Sequence, residues 1–145
     1  MYACDGSWWK VYYDEVMESF PGQKWTQDES WGKSPGMCHI KSRKSPGLSV
    51  DPKLIHSGGN SGYQALNLVY HFGASRILLM GYDMRGGHWH GNHPSPLKKG
   101  SPYHDWVGRF DQMASDLSDR GVEVINCSLD SALECFSKMR AEDAI

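Results

Sequence analysis

The sequence predicts an α/β domain built on a mainly parallel β-sheet with helices on both faces. Three observations carry that expectation. From residue 53 onward, short apolar runs alternate with longer amphipathic ones in the order strand, helix, strand, helix, strand, helix. Such alternation implies right-handed crossovers between parallel strands. The run Ile77-Leu78-Leu79-Met80 is continuously apolar, the mark of a strand covered on both faces. Gly73 and Gly121 stand just past two of the helical stretches, where a left-handed residue closes a helix.

A chain of 145 residues makes one domain, large enough to bury about two-thirds of its unfolded surface without metal or disulfide staples. Aromatic residues are 12% and charged residues only 22%, which excludes a disordered chain and a coiled coil. Fifteen Lys and Arg against seventeen Asp and Glu leave a net charge of -2, so no basic excess points to a nucleic-acid partner. The apolar run at 77–80 is far short of the ~20 residues that a membrane span needs. Tyr2, Ala3, Cys4 and Asp5 after Met1 have neither the basic nor the apolar stretch of a secretory leader. Cys4, Cys38, Cys127 and Cys135 show no CxxC spacing and read as reduced thiols of a cytoplasmic protein.

In chain order, residues 1–47 are aromatic and irregular. Residues 8–20 (WWKVYYDEVMESF) predict a helix with Ser7 as N-cap, stopped by Pro21-Gly22. Residues 23–26 and 37–41 are short strand candidates with a polar stretch between them. Residues 41–52 (KSRKSPGLSVDP) read as a surface loop. Residues 53–56 (KLIH) open the alternating part and lead through Ser57-Gly58-Gly59-Asn60-Ser61-Gly62 into a helix over 63–72. That helix is apolar on most sides, as expected of one buried against a sheet. The strand at 76–80 precedes a long loop, residues 81–100. Ser101-Pro102 then opens a helix, with Ser as N-cap and Pro in the first position. Trp106, Phe110, Met113 and Leu117 form its apolar stripe, and Gly121 ends it. Residues 122–125 are the next strand and 129–139 the last helix.

Ligands of parallel sheets sit beyond the carboxyl ends of the strands. Three segments converge there: 57–62, 81–100 and 126–130. The Gly-rich turn leads into a helix N-terminus, whose free N–H groups and dipole favour phosphate or carboxylate. It nominates Gly59, Asn60, Ser61 and Gly62 as ligand-binding residues; the competing reading is a tight turn with Ser61 as N-cap. Asp83, after the most apolar strand, suits a ribose or sugar hydroxyl or the orienting of a base; its competing reading is an Asx-turn. Tyr82 and Arg85 flank it. His104, with Tyr103 beside it, stands at a helix start, where the dipole favours the uncharged imidazole that general-base work requires. Asp5, after a short apolar stub, and Asn126, after the strand at 122–125, complete the expected rim. His88, His90 and His93 with Asp83 would be the ligands of a metal-dependent hydrolase, but their spacing matches no strong signature. The leading expectation has no metal and no other cofactor. No G-x-S-x-G, P-loop or G-x-G-x-x-G is present.

The stretches Asn60-Ser61-Gly62-Tyr63-Gln64-Ala65, Tyr70-His71-Phe72-Gly73-Ala74 and Arg76-Ile77-Leu78-Leu79-Met80-Gly81-Tyr82-Asp83-Met84 together resemble a segment of the bacterial sialyltransferases and the related motility-accessory-factor-like proteins. Phage-encoded relatives share it, often with a start similar to Tyr2-Ala3-Cys4-Asp5-Gly6-Ser7-Trp8-Trp9 here. The resemblance covers about residues 57–136. It implies a Rossmann-like fold and places His104 where those enzymes carry their proposed general base. It also implies that the sequence starts downstream of the first strand and Gly-Pro-Ser loop, an N-terminally truncated version of the fold. Arg85 stands where the sialyltransferases have a Tyr used for the donor phosphate, and the insertion at 88–93 has no counterpart there.

The leading functional expectation is therefore a nucleotide or nucleotide-sugar binding protein, glycosyltransferase-like if active. In it the backbone N–H groups of 60–62 hold phosphate, Asp83 holds a hydroxyl, and His104 is the base, all three on one pocket rim. The alternatives are a non-catalytic, phage-encoded module that sequesters a nucleotide or contacts a host protein through a Trp-rich face, and the metal-dependent hydrolase. A missing edge strand leaves backbone groups unpaired, which favours a homodimer.

Overall fold

The computed structural model describes residues 1–86, 97 and 102–145. Helix α1 (Gly6–Ser19) precedes strand β1 (Lys24–Thr26), a 3-10 turn at Trp31–Lys33, and the strands β2 (Met37–His39) and β3 (Lys41–Arg43). Strand β4 (Leu54–His56) leads into α2 (Ser61–His71) and β5 (Arg76–Leu79). The rest is α3 (Tyr103–Val107), α4 (Phe110–Ser118), β6 (Glu123–Asn126), β7 (Ser137–Lys138) and α5 (Ala141–Ala144). No helix among the described residues is long and apolar enough to cross a membrane.

Every strand pairing among the described residues is parallel, which with the intervening helices makes an α/β class. β1 pairs with β2, and β3 with β4. Only Ile40 separates β2 from β3, and its N–H donates to Thr26 at 3.0 Å, so the two pairs share one extended segment. Tyr2 adds a parallel bridge to Trp25 on the far edge of β1. Alternation puts consecutive residues on opposite faces. Ala3 therefore packs with Trp9 and Val16 of α1, whereas Tyr2 and Trp25 pack with Ile40, Ile55 and Leu68 of α2. The two helices thus cover opposite faces of this sheet.

The second sheet runs β5-β6-β7 and carries the main core. Phe110, Met113 and Leu117 of α4 are fully buried against Leu66, Leu79, Leu133 and Tyr63, as the 3.6-residue stripe requires. Phe110 makes edge-on contacts with Tyr63, Tyr82 and Phe136, with ring centroids 5.2, 6.3 and 6.3 Å away, a geometry that adds about 0.5–1.5 kcal/mol per pair beyond burial. Both α2 and α4 end as expected. Gly73 (φ 84) and Gly121 (φ 72) take the left-handed position, and bonds from Ala74 to Val69 and from Val122 to Leu117 close the helix ends.

Several elements differ from expectation. α1 starts at Gly6 with Asp5 in the N-cap position, not Ser7, because Trp9 is drawn under the sheet, where its indole N–H donates to Ala3 at 3.0 Å. Asn60, not Ser61, caps α2 and accepts from the Tyr63 N–H at 2.8 Å. The segment read as a surface loop starts as strand β3 and then turns inward, burying Gly47, Leu48 and Ser49. The long helix breaks at Gly108 into a five-residue α3 and a nine-residue α4, since glycine is a poor helix former. The final helix at 129–139 does not form. Ser131 donates to the Tyr82 carbonyl, Leu133 N–H donates to Ser131 Oγ, and β7 pairs with β6 instead. Side chain-to-backbone bonds of this kind compete with the helical ladder.

Candidate functional site

A cleft of about 360 Å³ opens over the first sheet. Its walls come from the carboxyl ends of successive strands. Cys4 and Asp5 follow the Tyr2 bridge, Gln27 follows β1, Ser42 and Lys44 lie in and after β3, and Ser57 and Gly59 follow β4. Gln64 of α2 completes the lining. This is the place where an α/β sheet offers the ends of its strands to a ligand.

Most of these groups are held by hydrogen bonds. Ser61 Oγ donates to Cys4 Sγ at 3.0 Å and accepts from the Cys4 N–H at 3.3 Å. Gln64 accepts from the Tyr2 hydroxyl and donates to the Ser57 carbonyl at 2.9 Å. Burial pushes the Cys4 thiol up, against the lowering effect of the Ser61 bond, so it is a protonated group at neutral pH. Burial, helped by the neighbouring Cys4 and Asp5, pushes the Tyr2 phenol up as well. Ser42 Oγ is different: it is buried and has no hydrogen-bond partner among the described residues. An orphaned hydroxyl in a buried setting costs about 1–3 kcal/mol unless something meets it. Asp5 and Lys44 form no ion pair among the described residues.

The Gly-rich turn stands between this cleft and the second sheet. Gly58 and Gly59 have φ of 50° and 86°. A Cβ on Gly58 would sit 2.1 Å from the Tyr63 ring, and one on Gly59 would sit 2.3 Å from Arg109 Nη1. The buried Tyr63 ring therefore demands glycine at 58, whereas at 59 the flexible end of Arg109 could move and the left-handed backbone is what favours glycine. Arg109 Nη1 donates to the Gly58 carbonyl at 2.9 Å, and the Trp106 indole lies close beside Gly59. On the same side, the Tyr82 hydroxyl donates to the Gly62 carbonyl at 3.1 Å, and burial pushes its pKa up to about 12.

The residues nominated from sequence thus fall into two groups. Asp5 and Gly59 line the cleft, and Ser61 reaches it through Cys4. Asn60 caps α2, and its Nδ2 has no partner among the described residues. Gly62 lies in the first turn of α2; the others lie at the ends of β5 and β6 and on α3, and none of them lines the cleft. Asp83 is exposed, and its carbonyl accepts from Ala132 at 2.8 Å. Arg85 pairs loosely with Asp130 at 3.6 Å on open surface, a contact worth little. Asn126 is fully buried; its Oδ1 accepts from the Ser128 N–H at 3.0 Å, and its Nδ2 has no partner among the described residues. Tyr103 stacks edge-on against Trp106 at 5.6 Å. His104 is exposed, with Nε2 3.1 Å from Asp105. A carboxylate only accepts, so Nε2 is the donor in this contact. The short α3 leaves little helix dipole to act on that ring. His88, His90 and His93 lie outside the described residues; among those described, no cluster of three His, Cys, Asp or Glu is placed to hold a metal.

Sequence reasoning missed Cys4, Gln27, Ser42, Lys44 and Gln64. Cys4 and Gln27 follow strands too short to announce their ends. Ser42 and Lys44 were hidden in the stretch read as loop. No protein-family model, curated protein or solved structure matches this chain.

Proposed function

We propose that this chain is a Rossmann-like nucleotide or nucleotide-sugar binding protein whose ligand lies over the carboxyl ends of the first sheet. The observation that carries the reading is the cleft there, with a buried hydroxyl at Ser42 that has no partner among the described residues. Asp5 supplies acceptors for ligand hydroxyls, and Lys44 with the N–H groups around Gly59 to Gly62 meets a phosphate. The Rossmann reading further rests on α1 and α2 covering opposite faces of a parallel sheet.

Glycosyl transfer is the activity that this binding would serve. The bond between the sugar's anomeric carbon and the leaving phosphate breaks, the acceptor oxygen forms the new bond, and the nucleotide departs as an anion without a metal. Neither Asp83 nor His104 lines the cleft, so in this reading they act only on an acceptor that extends from the cleft towards α3: Asp83 orients its hydroxyl and His104 takes its proton. Calorimetric titration with CMP, UDP and UDP-sugars tests the binding. It is expected to show saturable affinity that falls in Lys44→Gln and in a Ser61→Ala/Gly62→Ala double variant. Absence of binding by every nucleotide tried would overturn the reading. His104→Ala separates the enzyme from a pure binding module: affinity stays and turnover is lost.

A further inference from the structure

We infer that the cleft holds the sugar-phosphate part of its ligand and leaves any base outside; the inference rests on the binding reading above and narrows it. Among the described residues, no aromatic and no aliphatic side chain lines the cleft. A base gains affinity by stacking on an aromatic face, at about 1–3 kcal/mol per base; the cleft lining offers none, and the Trp106 indole beside Gly59 lies outside it. At about 360 Å³, the cleft is at the small end of the range of about 300–1,000 Å³ for ligand pockets, room for one compact fragment.

The side chains that line it are small or polar and carry both signs. Asp5 offers two acceptor oxygens, the natural partner of vicinal hydroxyls. Lys44 offers a cation, the natural partner of a phosphate. With no ion pair between them to be broken, both are available to a molecule that has hydroxyls at one end and phosphate at the other. Ser42 Oγ and the Gln27 amide can each donate or accept between those ends. Inorganic phosphate matches only the Lys44 end, and a neutral sugar only the Asp5 end.

The test is a calorimetric or NMR titration of the full chain with ribose 5-phosphate, glucose 1-phosphate, inorganic phosphate, uridine and UDP. The sugar phosphates are expected to bind within about tenfold of UDP. Uridine is expected not to bind. Asp5→Asn should weaken the sugar phosphates about tenfold while sparing inorganic phosphate, and Lys44→Gln should weaken both. Asp5 makes no side-chain bond to the α1 terminus and Lys44 is exposed, so both variants should unfold at the wild-type midpoint. If UDP binds and the sugar phosphates do not, this inference falls while the nucleotide reading stands. If uridine binds as well as UDP, the inference falls too. If none of the five binds, both fall.

Discussion

Replacing Asn67 with Ala should remove about 3 kcal/mol or more of folding stability. Asn67 is fully buried on α2, and its amide acts as a clamp on residues 47–56. Its Oδ1 accepts from the Ser49 N–H at 2.9 Å and the His56 N–H at 3.0 Å, and its Nδ2 donates to the Ser49 carbonyl at 2.9 Å. His71 Nε2 also approaches Asn67, but it lies closer to the Leu54 carbonyl, at 2.9 Å. It must carry its proton to serve that acceptor, so the substitution costs no bond there. Alanine thus orphans three backbone groups, two of them on the buried Ser49. Each unsatisfied buried group costs about 1–3 kcal/mol, and water entering the vacated space recovers part of it. Against a usual total of about 5–15 kcal/mol, that is a large share. Urea unfolding followed by tryptophan fluorescence would report it as a lower midpoint at unchanged slope. A loss below about 1 kcal/mol would refute the clamp. A loss of the expected size with unchanged protease sensitivity at 44–52 would refute the idea that the clamp holds this segment.

Gly58→Ala should cost about 2 kcal/mol or more, from left-handed backbone and a Cβ pressed on the buried Tyr63 ring; a melting shift under about 4 °C would count against it. Phe110→Ala should cost about 3–5 kcal/mol, since it empties the centre of three aromatic contacts; denaturant titration checks this, and a cost under about 2 kcal/mol would show that the site collapses around the gap. Stability should fall as pH rises from about 9 to about 12. Burial pushes Cys135 from its ordinary 9.0 up to about 11, and Tyr63 and Tyr82 from 10.0 up to about 12, so the folded state keeps protons that the unfolded chain releases. That stabilisation is complete below the ordinary values and is lost as pH climbs through the raised ones. Unfolding midpoints that stay flat from pH 8 to 11.5 would contradict it, and Tyr82→Phe should blunt the fall.

The alternating part was legible where burial enforces a period. Phe110, Met113 and Leu117 line up because one helix face must meet the core, whereas Trp106, expected on the same stripe, stands half-buried on the separate α3; Gly73 and Gly121 sit where a left-handed residue closes a helix. The candidate site was legible in part. The turn at 57–62 and Asp5 were found because glycine clusters and strand-end acids announce themselves locally. Lys44 and Ser42 were not, because a three-residue strand with the pattern Lys-Ser-Arg carries no apolar signal to distinguish it from a loop.

By itself, the sequence determined the α/β class, the apolar faces of α2 and α4, and the glycine-closed helix ends. All of these follow from interactions between residues a few positions apart. Only the tertiary structure decided that residues 47–49 are buried, that 129–139 abandons a helix, and that the cleft is walled by Cys4, Asp5, Gln27, Ser42, Lys44 and Ser57. Those outcomes depend on partners far away in the chain: the Asn67 amide that satisfies Ser49, the Tyr82 carbonyl that draws in Ser131, and parallel strands that carry distant segments to one common edge. Local propensity is worth tenths of a kcal/mol per residue, and a buried backbone group without a partner costs several times more, so at those places the long-range contact prevails.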